Sequence, residues 1–352
     1  MKSSAWAVVA VAVAVLSGAR AGQVSSGAVS THGIAFNPVS KKVYAVDLTR
    51  GRVAILDTAT QSVTHVPVGS GPVSLAVNAR TGRVYVANAD DGTVSVLDAK
   101  TNAVAATLKI RSRPYFIAVN SETGKVYVTH TFSDRISVID GITNAVTELK
   151  TGSIDLISVD SIANTIYLLG YEGGSLAVLD GATLALARRE AGKHAWGMDI
   201  DEPAHTLYVA RMGTADVIAM PAGGAAPSII PAGRAVSSIA VNSRTHRIYA
   251  GNYSGNSVTA IDGNARRALA TVAVGERPQA VAVDERRNLV YVANTKSGTV
   301  TVIDGATNKA LANVPAGESP YALAVAPGAS KVYVANGSGP VALTAVDIGG
   351  GL

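Results

Sequence analysis

Residues 278–317 read PQAVAVDERRNLVYVANTKSGTVTVIDGATNKALANVPAG. Four short runs rich in β-branched residues, at 278–284, 289–294, 298–304 and 309–317, are separated by Gly, Asn, Asp and Pro. Four such strands in about 40 residues are typical of one blade of a β-propeller, with the innermost strand first. The stretch therefore predicts an antiparallel blade that buries its faces only by stacking on neighbouring blades.

The tyrosine of the second run recurs along the whole chain at intervals of 40 to 42 residues. The eight copies are Tyr44, Tyr85, Tyr127, Tyr167, Tyr208, Tyr249, Tyr291 and Tyr333. Eight periods of this length account for residues 22–352, which we interpret as a single domain. The spacing predicts an all-β fold, an eight-bladed β-propeller of four-stranded antiparallel blades.

Closure of the ring depends on a strand from the other end of the chain. After Asp347 the sequence ends in IGGGL, so the last blade lacks a clear fourth strand. Residues 23–30, QVSSGAVS, supply the most natural candidate. We therefore predict that an N-terminal strand completes the last blade and removes the open sheet edges.

The N-terminus has the pattern of a secretory signal peptide. A basic start at Lys2 is followed by the apolar run 5–16 and by Ala19-Arg20-Ala21. We predict a signal peptide at 1–21, cleaved near Ala21, and no transmembrane segment in the mature protein, because no later run reaches eighteen apolar residues. The chain has no Cys, so it forms no disulfides and carries no lipoprotein anchor. We expect a periplasmic protein, or a secreted or cell-surface one.

The charge of the chain argues against nucleic acid as a partner. The formal net charge is +5, and removing Lys2 and Arg20 with the signal peptide leaves 28 basic against 25 acidic residues, or +3. The basic residues form only isolated pairs such as Arg266-Arg267, which are typical of solvated turns. We expect a monomer that does not bind DNA or RNA.

Six aspartates stand thirteen residues after their tyrosines: Asp57, Asp98, Asp140, Asp180, Asp262 and Asp304. Carboxylates in register could indicate metal sites, but each opens a turn of the type Asp-Gly-Ala-Thr-Asn, where Asp bonds the backbone two residues on. One residue per blade is also spread around a ring, so the pattern predicts turns. Blade five has Pro221 in place of this Asp, and we expect its outer hairpin to be frayed or remodelled because proline cannot donate to the ladder.

The phrases VYVAN at 84–88, 290–294 and 332–336 resemble the YVTN-repeat β-propeller family over essentially the whole mature chain. The resemblance implies an exported bacterial or archaeal propeller, although many members have seven blades. It leaves activity open, because propellers of this architecture include surface-layer components, periplasmic binding proteins, haem d1 proteins of nitrite reduction, and lactonases or lyases. The chain has no Cys-x-x-Cys-His, which argues against a covalently bound haem.

Candidate site residues are those that depart from the repeat in the loops around the channel mouth, which is the default ligand site of a propeller. When the blades are aligned on their tyrosines, three sets of equivalent residues vary, and we call each set a column. The first is the residue that follows the proline of the loop entering the innermost strand, and the second lies two positions before the first. The third is the residue three positions after each tyrosine. In the last column the usual Asn is interpreted as a turn residue, so His130 and Arg211 stand out. The candidates are His32, Arg113, Tyr115, His130, Asp155, His194, Trp196, Arg211, Arg277, Gln279 and Tyr321.

Aromatic and arginine side chains at a mouth would suit an anionic or planar ligand, through stacking and guanidinium forks. The simpler alternative is that these loops vary because solvent tolerates any residue there. We favour a non-enzymatic binding scaffold for a protein, a glycan or a small anionic ligand, with no catalytic residue, metal or cofactor assigned.

Two other classes stay open. The chain could be an enzyme or cofactor-handling propeller, with His194 as a base oriented by Asp155 in a lyase or lactonase, or with His32, His130 and His194 holding a metal or a haem d1-type group. No nucleophile motif or local His spacing supports this hypothesis. The chain could also be a structural component of the cell envelope or surface layer.

Overall fold

The computed structural model describes residues 33–111, 113–171, 174–337 and 343–347. These residues form eight consecutive antiparallel sheets, of which seven have four strands and the last has three, and in every sheet the strand order follows the chain. The prediction of an all-β, eight-bladed propeller is confirmed. The signal peptide and the closing strand at 23–30 lie outside the described residues.

The first four blades contain sixteen strands and one 3₁₀ turn. Blade 1 has β1 (Ile34–Asn37), β2 (Lys42–Asp47), the 3₁₀ turn Leu48–Arg50, β3 (Arg52–Asp57) and β4 (Val63–Pro67). Blade 2 has β5 (Pro72–Asn78), β6 (Arg83–Asn88), β7 (Thr93–Asp98) and β8 (Ala103–Lys109). Blade 3 has β9 (Pro114–Val119), β10 (Lys125–His130), β11 (Arg135–Asp140) and β12 (Val146–Lys150). Blade 4 has β13 (Leu156–Asp160), β14 (Thr165–Leu169), β15 (Ser175–Asp180) and β16 (Leu186–Glu190).

The last four blades repeat this order. Blade 5 has β17 (Ala195–Asp201), β18 (Thr206–Arg211), β19 (Asp216–Pro221), the 3₁₀ turn Ala222–Gly224 and β20 (Ser228–Pro231). Blade 6 has β21 (Val236–Asn242), β22 (Arg247–Asn252), β23 (Ser257–Asp262) and β24 (Arg267–Ala273). Blade 7 has β25 (Pro278–Asp284), β26 (Leu289–Asn294), β27 (Thr299–Asp304) and β28 (Lys309–Pro315). Blade 8 has β29 (Pro320–Val325), β30 (Lys331–Asn336) and β31 (Leu343–Asp347).

The hydrophobic core is divided among the seams between blades, and one of these seams closes the ring. Innermost strands of successive blades contact each other, and β29 of the last blade contacts β1 of the first. Ile34 and Phe36 of β1 are buried together with Ala322 and Tyr333 of blade 8. Apolar burial therefore joins the two ends of the described chain.

The repeated tyrosines act as fasteners between blades. Each is buried in a second strand, and two of the hydroxyls bond to the turn after the third strand of the next blade: Tyr208 Oη donates to Gly263 O at 3.4 Å, and Tyr249 Oη donates to Gly305 O at 3.3 Å. In several blades a Lys or Arg two positions earlier does the same, as when Lys125 Nζ donates to Gly181 O at 2.6 Å. The period seen in the sequence is thus the period of the seams.

The six aspartates lie in turns, as predicted. Asp98 Oδ1 accepts from Lys100 N at 2.8 Å and from Thr101 N at 2.9 Å, and the other five carboxylates accept from the same two positions. These backbone hydrogen bonds hold the pKa of Asp98 below its ordinary value. The carboxylates therefore cap turns.

The outer hairpin of blade 5 is remodelled. β19 still pairs with β20, from Asp216 opposite Pro231 to Ala219 opposite Ser228, but β20 is only four residues long. Pro221 ends β19 and leads into the 3₁₀ turn at Ala222–Gly224. Because proline stands at the end of the strand, it removes no ladder hydrogen bond from its middle.

Candidate functional site at the channel mouth

A β-bulge marks the start of the innermost strand in most blades. In blade 2, Pro72 pairs with Asn88 and Ser74 with Ala87, so Val73 is an extra, unpaired residue. The same bulge occurs at Trp196, Ser237, Gln279 and Tyr321. A bulge turns a side chain out of the strand alternation and is common beside binding sites.

The bulged residues coincide with the first variable column of the sequence. In blade 3, Tyr115 and Phe116 together oppose the single residue Thr129. In blade 4, Asp155 directly precedes β13, and its N–H donates to Leu169 O at 3.0 Å. We call this set the bulge ring, and its described members are Val73, Tyr115, Asp155, Trp196, Ser237, Gln279 and Tyr321. His32, the candidate of blade 1, lies outside the described residues.

The loops before the bulge ring hold strained backbone. His194, Ala235, Arg277 and Ser319 have φ of 60°, 54°, 55° and 53°. This left-handed region is unfavourable for residues other than glycine, and it also occurs in the outer turns of the blades, as at Asn102 and Leu184. Four neighbouring blades therefore present a non-glycine residue in a sparsely populated conformation at the same end of the channel.

Three of the predicted residues meet around Tyr171. Asp155 Oδ2 accepts from Tyr171 N at 2.7 Å, and His194 N donates to Tyr171 O at 3.0 Å. The ring of Tyr171 lies edge to face with the rings of Trp196 (4.9 Å between centroids) and His194 (6.0 Å). We call Asp155, Tyr171, His194 and Trp196 the Tyr171 cluster, which spans blades 4 and 5. Tyr171 is not among the candidates selected from the sequence.

Tyr115 lies on the blade-3 side of this cluster. Its burial and the negative charge of Asp155 raise the pKa of Tyr115 to about 12, so its hydroxyl keeps its proton at neutral pH. Its ring lies edge to face with that of Phe116 at 4.5 Å. Arg113, two residues earlier, is exposed in the loop before β9. The structure therefore extends the polar and aromatic surface from blade 3 to blade 5.

Two polar atoms of the bulge ring are buried without a hydrogen-bond partner among the described residues. They are Trp196 Nε1 and Ser237 Oγ. The two residues belong to adjacent blades that approach closely, since a Cβ at Gly197 would lie 3.2 Å from Ser237 O. Other buried atoms without a partner among the described residues include Ser238 Oγ and the hydroxyls of Tyr44, Tyr85, Tyr127 and Tyr291 in the seams. Trp196 Nε1 and Ser237 Oγ differ in lying in the bulge ring, where a ligand or a water can satisfy them.

The remaining bulge-ring candidates lie on blades 6–8 and make contacts there. The Thr295 hydroxyl lies 2.8 Å from Gln279 Oε1 and 2.7 Å from Pro320 O. The guanidinium of Arg277 stands 5.8 Å from the centre of the Tyr253 ring, a cation–π arrangement. Tyr321 packs into the closing seam between blades 8 and 1.

The interpretation of the consensus Asn as a turn residue is wrong. Asn88 is fully buried at the end of β6, and its Nδ2 donates to Thr93 Oγ1 at 3.0 Å and to Ser95 Oγ at 2.9 Å on β7. Asn252 and Asn294 make the same two bonds in their blades. We call the residues three positions after each tyrosine the second-strand column. Where the residue is Asn, its buried amide needs partners and finds them on strand three, so it ties strands two and three together.

His130 and Arg211 belong to this column and have partners inside their blades. His130 is 2% exposed, and its Nε2 lies 2.8 Å from Ser137 Oγ. Ser137 of blade 3 is equivalent to Ser95 of blade 2, which accepts the hydrogen bond of Asn88. Arg211 Nε and Nη2 contact the two carboxylate oxygens of Asp216 at 2.6 and 2.7 Å. Blade 1 has the reverse charges, with Asp47 Oδ2 accepting from Arg52 Nε at 2.8 Å. The guanidinium fork of Arg211 is therefore already occupied.

A departure that the sequence analysis missed lies deeper in the channel wall. The residue nine before each tyrosine is Ala in six blades, Ser158 in blade 4 and Asp199 in blade 5. Asp199 is buried, and its Oδ2 accepts from Val241 N of the next blade at 2.9 Å. Burial raises the pKa of Asp199 well above its ordinary value. Aligning the chain on its tyrosines reveals this residue without a structure.

At the opposite, base end of the channel, where the innermost strands end, acidic departures are paired across seams. Asp160 Oδ2 lies 2.7 Å from His205 Nδ1, and Asp201 Oδ2 lies 2.6 Å from His246 Nδ1. These pairs stand where other blades have Asn–Asn bonds, such as Asn120 Nδ2 to Asn164 Oδ1 at 2.8 Å. The base end therefore holds inter-blade links.

The histidines and acidic residues of the described ranges are dispersed. Within the described ranges, no three or more His, Cys, Asp or Glu side chains are grouped as a metal ion would require. His130 faces Ser137, whereas His194 lies exposed beside Tyr171. No helix of sufficient length and apolarity to span a bilayer occurs in the part of the chain that the structure describes.

Comparison with known proteins shows the fold. No protein-family model matches the chain, and no curated protein matches it. Solved structures do match the chain, and three of them are described here. Kuenenia stuttgartiensis hydrazine synthase is 16% identical with a TM-score of 0.62, covering 90% of this chain and 95% of the other. Dihydro-heme d1 dehydrogenase NirN in complex with DHE is 16% identical with a TM-score of 0.69, covering 82% and 67%. The Cps50 (Swd1) β-propeller domain of Myceliophteria thermophila is 11% identical with a TM-score of 0.61, covering 78% and 97%. At these identities the likeness concerns the fold alone, and the chain is similar to propellers of different activities.

Proposed function

We propose that this chain is an exported propeller of the YVTN-repeat type that acts as a non-enzymatic binding scaffold, with its ligand at the bulge ring. One observation carries the proposal: Asp155, His194 and Trp196, selected as departures from the repeat, meet around Tyr171. Side chains that converge from adjacent blades on one end of a channel are the usual basis of a propeller ligand site.

The chemistry of the cluster favours binding over catalysis. Asp155 accepts a backbone N–H, and His194 approaches Tyr171 through its own backbone N–H, so no hydrogen bond of the described residues joins this carboxylate to this imidazole. A base oriented by a carboxylate needs that bond. The cluster instead offers aromatic faces and polar edges, which provide area and orientation to a ligand.

The test uses the mature protein purified from its native host and analysed by native mass spectrometry. We expect a bound mass, or a co-purifying partner, that is lost in Tyr171→Ala. Tyr253→Ala is the matched control, because Tyr253 has the same position in blade 6, four residues after its repeated tyrosine. Retention of the bound species by Tyr171→Ala would contradict the proposal.

The same preparation separates the enzymatic and cofactor-handling alternatives. A coloured or metal-loaded sample, or lactone turnover that His194→Ala abolishes, would replace the scaffold with an active propeller. Export is checked by N-terminal sequencing, for which we expect a mature start near Gly22 and recovery of the protein from the periplasm, the medium or the cell surface.

A further inference from the structure

We infer that the bulge ring between blades 4 and 6 binds a neutral sugar residue of a glycan. This inference rests on the proposed function and names its ligand class. It comes from the set of donors, acceptors and aromatic faces that the bulged residues bring together, and from which of the mouth residues already have partners.

The donors belong to two adjacent bulges. Trp196 Nε1 and Ser237 Oγ are both buried and have no partner within the described chain, and Ser237 is 0% exposed. The indole N–H can only donate, so it requires an acceptor oxygen from a ligand or a water. Two such groups on adjacent blades of the bulge ring favour an oxygen-rich ligand.

The acceptor is Asp155. Its Oδ2 holds the Tyr171 N–H, while its side chain is exposed and a carboxylate has further lone pairs on both oxygens. A ligand that contacts both Asp155 and Trp196 must therefore donate at one point and accept at another. Hydroxyl groups do both, whereas a carboxylate or phosphate only accepts and an ammonium group only donates.

The aromatic rings add the apolar half of the site. Tyr171 and Trp196 stand edge to face, and Tyr115 follows on the blade-3 side. Such rings combine apolar area with polar edges, which matches a sugar ring with its C–H faces and hydroxyl rim. An anionic ligand would meet the charge of Asp155, and Arg211, the arginine of blade 5, is already paired with Asp216.

The experiment probes the mature protein, fluorescently labelled, on an array of neutral and sialylated oligosaccharides, followed by titration calorimetry with the best soluble binder. Trp196→Phe replaces the indole by a phenyl ring, so the N–H donor is lost while an aromatic ring is kept. Ser237→Ala removes only a hydroxyl group. We expect each to weaken neutral-glycan binding by about tenfold, the effect of one hydrogen bond. Tyr253→Phe, which removes a hydroxyl of blade 6 outside the bulge ring, is expected to bind like the wild type.

Three results would overturn the inference. They are the absence of neutral-glycan binding on the array, binding that Trp196→Phe leaves unchanged, and binding restricted to acidic glycans. A native bound species that depends on Tyr171 but is not a carbohydrate would refute the sugar while leaving the proposed function in place. Loss of every Tyr171-dependent ligand would remove both.

Discussion

The bulge ring and the second-strand column lie at the same end of the propeller, and both depart from the repeat, yet they differ in what their departing side chains contact. His130 and Arg211 of the column bond to Ser137 and Asp216 in their own blades. Trp196 and Ser237 of the ring have buried polar atoms without partners among the described residues. A departure from the repeat is therefore evidence of a ligand site only when the new side chain has no compensating partner in the ring.

The physical reason is the position of each set in the blade. The second-strand column is enclosed between strands two and three, where a buried donor or charge without a partner destabilises the fold. The departing side chains His130 and Arg211 accordingly have partners in Ser137 and Asp216. The bulge ring stands where the innermost strand begins and the alternation is broken, so its side chains are free to turn toward the channel mouth.

The largest effect is expected from breaking the Arg211–Asp216 pair. Both side chains are mostly buried, 12% and 11% exposed, and Asp216→Ala leaves the guanidinium without its counter-ion. Loss of one partner of a buried pair costs about 3 kcal/mol. Urea unfolding of Asp216→Ala is expected to show this loss.

The control is the double variant Arg211→Asn with Asp216→Ser, which reproduces the Asn252–Ser257 pair of blade 6. We expect it to recover most of the stability. A double variant no more stable than Asp216→Ala would show that the blade does not tolerate the consensus pair, and the column would lose its interpretation as a set of interchangeable internal bonds.

A similar effect is expected with pH at the base end, where partnered carboxyls are deeply buried. Glu202 Oε1 accepts from Ser161 N at 3.0 Å, and burial is the main cause that raises the pKa of Glu202 from 4.5 to about 7. The native carboxyl thus keeps its proton at a pH where the unfolded one has lost it. The associated stability is present below pH 4.5 and is lost as pH rises through about 7.

The full loss for this group is about 3 kcal/mol. We expect the urea midpoint to fall between pH 5 and 8 in the wild type and to fall less in Glu202→Gln. Glu276→Gln is the control, because Glu276 is exposed and its hydrogen bond from Lys296 lowers its pKa. An unchanged slope in Glu202→Gln would contradict the assignment.

A smaller effect on stability is expected when a serine on an innermost strand is replaced by alanine, and its size depends on whether the hydroxyl has a partner. Ser74 Oγ donates to Tyr115 O at 2.6 Å, whereas Ser237 Oγ has no partner in the described chain. Ser74→Ala is expected to cost about 1 kcal/mol, and Ser237→Ala to be neutral or slightly stabilising, because an unsatisfied buried hydroxyl is removed. Equal losses in thermal unfolding would mean that Ser237 has a structural partner, and the bulge ring would lose one of its two free donors.

The smallest effect is expected at His130. His130→Asn restores the consensus residue of this position. Its amide can donate to Ser137 as that of Asn88 donates to Ser95 in blade 2. We expect a change in stability of less than about 0.5 kcal/mol and no change in ligand binding. Loss of binding in a stably folded His130→Asn variant would return this residue to the candidate site.

Much of the candidate site could be predicted from the sequence, because equivalent positions of the eight blades can be compared with one another and the exceptional residues identified. The bulge-ring column was identified from the residue after each leading-loop proline, and Asp155, His194 and Trp196 do meet. The role of the second-strand Asn was not predicted, because a turn residue and a buried amide look alike in sequence. Tyr171 was not selected because it lies in a loop, and loops vary by default.

The sequence alone determined the period, the number of blades and the Asp turns, because these depend on local hydrogen bonds and on apolar patterning within 40 residues. Only the tertiary structure decided which polar departures are satisfied, because many of their partners lie in another blade. Asp160 bonds His205 across 45 residues, and Asp199 reaches Val241 across 42. The unpaired donors at Trp196 and Ser237 became visible in the same way, since the absence of a partner is a property of packed neighbours.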